Sequence, residues 1–187
     1  MSEGRQTGAA FAGLSILVEV EEAGWGRVLG PEPEATIRRA VDAAGLRAGL
    51  PVDIVSELGV TLSNDESVRE LNAQWRGQDK ATNVLSFPMR PIEPGERPGP
   101  LLGDIVLALQ TCEREALDEG RASADHAVHL LVHGVLHLLG HDHLDETSAE
   151  RMERLEVLAL ADLAIEDPYR VAGAGQATHP QDIRRWT

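Results

Sequence analysis

The spacing of apolar positions changes several times along the chain, and each change marks an element. Ser15–Val20 (SILVEV) alternates and is rich in branched side chains, the pattern of a half-buried strand. After the turn-rich GWGRVLGPEP, residues Glu32–Ala44 place Ala35, Ile37, Ala40 and Val41 at helical spacing. Pro33 falls in the first turn, where its missing N–H is tolerated, and Gly45 suits the end. Val52–Val60 reads as a second strand. Ser63-Asn64-Asp65-Glu66 has the form of a capping box, with Ser63 capping a new helix and Glu66 reaching back. Val68, Leu71 and Trp75 share a face of that helix, which ends near Arg76-Gly77. Thr82–Phe87 (TNVLSF) is a short strand stopped by Pro88, and Leu101–Leu109 (LLGDIVLAL) is another. Between them, Met89–Pro100 holds four prolines and two glycines, so it is expected to be a surface loop and the most flexible part of the interior. A helix near Gln110–Glu119 follows. Ser123–Leu139 is a long helix, apolar on most sides and therefore central to the core. A last helix runs from about Glu146 to Ala164.

Strands mixed with helices, and helices grouped towards the C-terminus, predict an α+β layer. At 187 residues the chain is expected to form one domain, over residues 14–166, with a flexible N-terminus (1–13). A Gly-, Ala- and Pro-rich tail (167–187) is expected to be disordered. A single cysteine, Cys112, excludes an intramolecular disulfide and fits a reducing compartment. Neither a secretory signal nor an apolar run long enough to span a bilayer is evident, so the expected location is cytoplasmic, with no membrane partner.

The net charge of −14 argues at first against a nucleic-acid partner, since phosphate binding normally needs a basic surface. The distribution changes that picture. Residues 1–68 carry 5 basic and 11 acidic side chains (−6), and residues 104–167 carry 4 and 15 (−11). Residues 69–103 carry 5 basic (Arg69, Arg76, Lys80, Arg90, Arg97) and 4 acidic (+1), and the last twenty residues give +2. The middle is thus the one stretch of the expected domain that is not negative.

Chemistry concentrates in His133-Gly-Val-Leu-His137-Leu-Leu-Gly140-His141-Asp142-His143. Residues four apart on a helix lie on one face, so His133 and His137 can address one ion. Alone, such a pair arises by chance more often than as a metal site. Gly140 is where the helix would end through a left-handed residue, and His143 can then swing back as a third ligand. Three imidazoles leave a tetrahedral zinc one open position, the pattern of a catalytic site with one Zn²⁺ per chain. Asp142 is expected to accept a hydrogen bond from a ligand histidine rather than bind metal. His126 and His129 are expected to be satisfied or surface histidines, although His129 shares the face of His133. His179, in the tail, has no assigned role. Metalloproteases of the His-Glu-x-x-His type keep their general base where Gly134 stands, which disfavours peptide hydrolysis.

This motif resembles the HGxLHLxGxDH signature of the YbeY endoribonucleases. A second block, Leu71-Asn72-Ala-Gln-Trp75-Arg76-Gly77-Gln-Asp79-Lys80-Ala-Thr82-Asn83-Val84-Leu85-Ser86-Phe87-Pro88, resembles their LNxxYRGxDxxTNVLSFP segment, with Trp75 where tyrosine is usual. Leu102-Gly103-Asp104-Ile105 fits the LGDI segment between them. These matches span roughly residues 50–165. The resemblance implies a single α+β domain with a mixed sheet of about four strands on helices. It also implies zinc on His133, His137 and His143, and cleavage of single-stranded RNA in small-subunit rRNA 3′-end maturation and ribosome quality control. Partners would then be ribosomal RNA and the ribosome or its proteins, with no DNA. Arg76 matches the arginine placed beside the metal and suits phosphate recognition, because a guanidinium offers two parallel donors. Lys80 adds a point charge. Without the resemblance Arg76 reads as a solvated helix-end arginine. Two other readings stand beside this one: a ribosome-associated assembly factor with a mainly structural zinc, and a metal hydrolase of another substrate.

Overall fold

A computed structural model describes residues 9–143 and 145–170. Ten elements follow in order: β1 (Leu14–Val20), α1 (Trp25–Val28), α2 (Pro33–Arg47), β2 (Ser56–Ser63), α3 (Asp65–Arg76), β3 (Val84–Pro88), β4 (Leu101–Ala108), α4 (Leu109–Asp118), α5 (Ser123–Leu138) and α6 (Glu146–Asp162). The four strands form one mixed sheet in the order β1-β2-β4-β3. β1, β2 and β4 run parallel and β3 returns antiparallel beside β4. This is the single α+β domain that the pattern anticipates, with the mixed four-stranded sheet that the resemblance implies.

α5 forms the centre. Its mean composition is apolar, with Leu130, Leu131, Val132, Val135, Leu136 and Leu138 buried. It packs on β3 and β4 of the sheet and is covered by α2, α4 and α6. On the other side of the sheet, α3 lays Val68 against Leu85, Val106 and Ala108, with Leu71 and Phe87 at the margin. A helix so enclosed holds any polar side chain it carries at a fixed place. Among the described residues, no helix is long and apolar enough to cross a membrane.

Several boundaries differ from expectation, each for a local reason. β2 begins at Ser56 rather than Val52, because Pro51 opens a turn closed by the Ile54 N–H on its carbonyl, leaving Val52 and Val55 exposed. Gly45 does not end α2. It lies inside the helix, where a Cβ would come within 2.7 Å of the Phe11 ring. Phe11 is itself fully buried, although it falls in the stretch expected to lie outside the domain. The cap of α3 is Asn64, whose Oδ1 accepts from the Ser67 N–H at 3.0 Å, while Ser63 still belongs to β2 and pairs with Ala108. Trp25–Val28, read as part of a turn, makes one helical turn with Trp25 buried and its indole N–H on the Ser63 carbonyl at 2.8 Å. Met89–Pro100 is braced internally by an Arg90–Glu96 ion pair and tied to the turn before β2 by an Arg97–Asp53 pair. The expected tail is described as far as Arg170, and residues 171–187, with His179, lie outside the described residues.

Candidate metal centre

His133 and His137 occupy the last turns of α5, and their Nε2 atoms face each other at 3.0 Å. Gly140 then adopts φ +85°, a left-handed conformation that suits glycine. The Gly140 N–H bonds the His137 carbonyl and the His141 N–H bonds the Leu136 carbonyl, each at 3.0 Å, so the helix ends in a closed cap. A side chain at 140 is also excluded by the Ile92 carbonyl of the proline-rich loop, which a Cβ would approach to 2.1 Å. The reversal brings the His143 ring to 5.1 Å, centroid to centroid, from His133 and 4.8 Å from His137. One ligand nitrogen from each of the three lies within 4.8 Å of the others. The sequence reading of these three residues as one cluster is therefore borne out.

The donor set suits a cation. Burial, and after it the neighbouring His133 and His143 rings, push His137 down to about 3. Burial and then His133 lower His143 as well. Both imidazoles are thus neutral at physiological pH, the form that offers a lone pair. His143 Nε2 is buried with no protein partner, a buried polar atom left for something else to satisfy. Cys112 is no ligand: it is buried in α4, directed at the Ser123 carbonyl, and burial pushes its thiol up to about 12.

Around the cluster runs a cleft of about 560 Å³, lined by residues that include Arg76, Gln78, Pro91, Ile92, His133 and His137. Arg76, the last residue of α3, is exposed and lines the cleft together with Pro91 and Ile92 of the proline-rich loop. The loop after α3 is set by Gly77 in a left-handed conformation and by buried Asn72, whose Nδ2 donates to the Lys80 carbonyl at 2.8 Å. Lys80 itself is exposed and does not line the cleft. Asp142 accepts from the His143 backbone N–H at 2.7 Å rather than from a ligand ring, so the expected ring contact is corrected. Asn83 and Phe87 make local packing and backbone contacts, and Ser86 lines the cleft. Asn83 accepts from the Val84 N–H, Ser86 Oγ approaches the Gly134 carbonyl, and Phe87 packs on Trp75.

Two residues of the site carry no signal in the motifs. Glu156 of α6 is fully buried, and its Oε1 accepts from His133 Nδ1 while its Oε2 accepts from His129 Nε2, both at 2.8 Å. Burial would raise its carboxyl, but the His133 and His129 rings outweigh that and hold it well below the carboxylate range. Tyr169, in the segment expected to be disordered, donates its hydroxyl to Glu156 Oε2. Burial and the Glu156 charge raise its phenol. The available sign in the sequence was the spacing of Met152, Glu156, Ala159 and Leu160, which sets a glutamate on the apolar stripe of α6.

Residues 27–164 match the family profile described as Endoribonuclease YbeY, starting well before Leu71, where the motif blocks begin. The Endoribonuclease YbeY of Agrobacterium fabrum is 50% identical over 162 residues, covering 85% of this chain and 96% of the relative. That of Rhizobium meliloti is 45% identical over 163 residues, covering 83% and 95%. A solution structure of a Thermotoga maritima protein matches with a TM-score of 0.50 over 87% of this chain and 99% of that one; at 20% identity it bears on the fold alone. The likeness thus extends from α1 past the end of α6 and does not rest on the histidine motif alone, and the chain belongs to the YbeY endoribonuclease family.

Proposed function

We propose that this chain is a metal-dependent endoribonuclease that cuts single-stranded ribosomal RNA in the cleft beside His133, His137 and His143, with zinc as its cation. The observation that carries this reading is that His133 and His137 line the same cleft as the Arg76 guanidinium, with His143 packed against both rings to complete three convergent imidazoles. Three protein ligands with no fourth among the described residues are the set of a reactive zinc rather than a closed structural one. When bound, the cation supplies Lewis acidity towards the oxygens of a phosphodiester and towards water. The chain's own residues do the rest. Arg76 binds the scissile phosphate through paired N–H donors and offsets the charge that builds on its non-bridging oxygens. Pro88, Pro91 and Ile92 give an apolar wall on which an unstacked base can rest, which favours a single strand over a duplex. Lys80, outside the cleft, is an outlying charge for a flanking phosphate.

A net charge of −14 gives little general attraction for RNA. We infer that the ribosome or its proteins deliver the substrate, in the cytoplasm, during small-subunit rRNA 3′-end maturation and quality control. Gly134 bears on peptide hydrolysis. A Cβ there would lie 3.0 Å from Ser86 Oγ and 3.1 Å from Ile105 Cδ1, so the glutamate of a protease would require both neighbours to yield.

The test compares wild type, Arg76→Ala and His133→Ala on a single-stranded rRNA fragment and on rRNA 3′ ends in cells. Arg76→Ala is expected to lose on the order of 100-fold or more in cleavage rate while folding and zinc content stay normal. If Arg76→Ala cleaves and matures rRNA as wild type does, the catalytic reading fails and a binding factor with a structural zinc takes its place.

A further inference from the structure

Glu156 lies on the stripe of α6 formed with Met152, Ala159 and Leu160, and none of its surface is exposed. Burying a carboxylate there is costly unless every oxygen is satisfied. Three donors meet that need: His133 Nδ1 on Oε1, and His129 Nε2 with the Tyr169 hydroxyl on Oε2. An ionised carboxylate only accepts, so His133 must carry its hydrogen on Nδ1. Its lone pair then sits on Nε2, the atom 3.0 Å from His137 Nε2 in the cluster. In the other tautomer His133 would turn an N–H towards the centre, where a cation needs a lone pair.

We propose that Glu156 is a positioning residue of the metal centre, fixing His133 in its Nδ1–H tautomer and ring orientation while His129 and Tyr169 hold the carboxylate by saturating its second oxygen. The proposal rests on reading the three histidines as a metal site. It adds a buried acid from α6 and a phenol from the segment after it, neither of which touches the cluster's centre. A purely structural role, fastening α5 to α6, would make no demand on the tautomer. Glu156→Gln separates the two. A glutamine has one acceptor oxygen and one amide donor. Turning the oxygen to the side of His129 and Tyr169 satisfies two donors and sets the amide against His133 Nδ1, which must then give up its hydrogen. Shape and helix packing stay the same.

The experiment uses full-length metal-free protein as wild type, Glu156→Gln and Glu153→Gln. Zn²⁺ affinity is measured by competition with a chromophoric chelator, and histidine tautomers by long-range ¹⁵N–¹H correlation spectra. Glu156→Gln is expected to bind Zn²⁺ about 10–100-fold more weakly and to shift His133 to the Nε2–H pattern. Glu153→Gln removes a half-buried carboxylate from the same helix and is expected to leave both readouts unchanged. A folded Glu156→Gln that binds Zn²⁺ like wild type overturns the proposal. So does an Nε2–H tautomer for His133 in wild type, which decides the matter even if the variant does not fold. Wild type that takes up no Zn²⁺ while His133 is Nδ1–H overturns the metal reading but leaves the tautomer lock standing.

Discussion

Gly134→Ala probes the contact that holds the metal-bearing helix against the sheet. An added Cβ would lie 3.0 Å from Ser86 Oγ, 3.1 Å from Ile105 Cδ1 and 3.2 Å from Ile105 Cγ2. Comfortable carbon contacts are about 3.5–4.0 Å, so each neighbour must yield by a few tenths of an ångström. The Ser86 hydroxyl can rotate away. Ile105 cannot easily do so: it is fully buried in β4, and two of its branches face the new methyl, so a rotamer change exchanges one clash for another. Overpacking of this kind costs about 1–3 kcal/mol. Alanine's better helix propensity returns at most about 1 kcal/mol. The net expectation is a loss of about 1 kcal/mol, or roughly 2–4 °C in Tm for a chain of this size.

Thermal unfolding of the metal-free proteins reads this directly, and the same substitution in an Ile105→Val background tests its cause. Valine lacks Cδ1, so Gly134→Ala should cost less there, with a coupling of at least about 0.5 kcal/mol. A raised Tm for Gly134→Ala, or an equal cost in both backgrounds, would refute the packing argument. The glutamate of a protease would then be disfavoured for some reason other than room.

Two further outcomes follow from groups away from the cleft. Cys112, with its thiol pushed up to about 12 by burial, is expected to resist iodoacetamide at pH 8 in native protein and to react at once in denaturant; rapid native labelling followed by mass spectrometry would contradict this. Arg47 and Asp162 tie α2 to α6, and hydrogen bonding to Arg47 lowers the Asp162 carboxyl. A carboxyl lowered on folding contributes above its unfolded value and loses that contribution as pH falls through the folded one. Both side chains are more than a third exposed, so solvent screening leaves only a small contribution. Urea unfolding of wild type and Asp162→Asn should differ slightly at pH 7 and converge in acid, once pH has fallen below the lowered carboxyl. A difference that persists in acid would assign the effect to packing.

Local rules read the elements well where the controlling contact is close in sequence. The alternation in β1 and the apolar enclosure of α5 both survive in the structure. They failed where a distant partner decides. Ser63 and Asn64 are both good helix caps, and the pairing of Ser63 with Ala108 in the sheet leaves Asn64 to cap α3. Gly45 looked like a helix stop because glycine often is one, but here Phe11, more than thirty residues earlier, needs the space that a side chain would fill. Asn72 drew no attention by itself, yet its amide fixes the loop that follows Arg76.

The metal site divides in the same way. Its three histidines fall within eleven residues, and one helical period plus one glycine turn suffices to bring them together. Such a site is legible because its geometry is written in local backbone rules. Glu156 is 23 residues from His133 and 27 from His129, and only the packing of α6 on α5 makes them neighbours. A pattern reading gives an acid on an apolar stripe no role, because hydrophobic periodicity asks whether a position is buried and not what it meets there. The informative mismatch was the buried position itself. A carboxylate that pays for burial with three donated hydrogen bonds, two of them from histidines on the metal-bearing helix, marks α6 as part of the centre and not only as a cover for it.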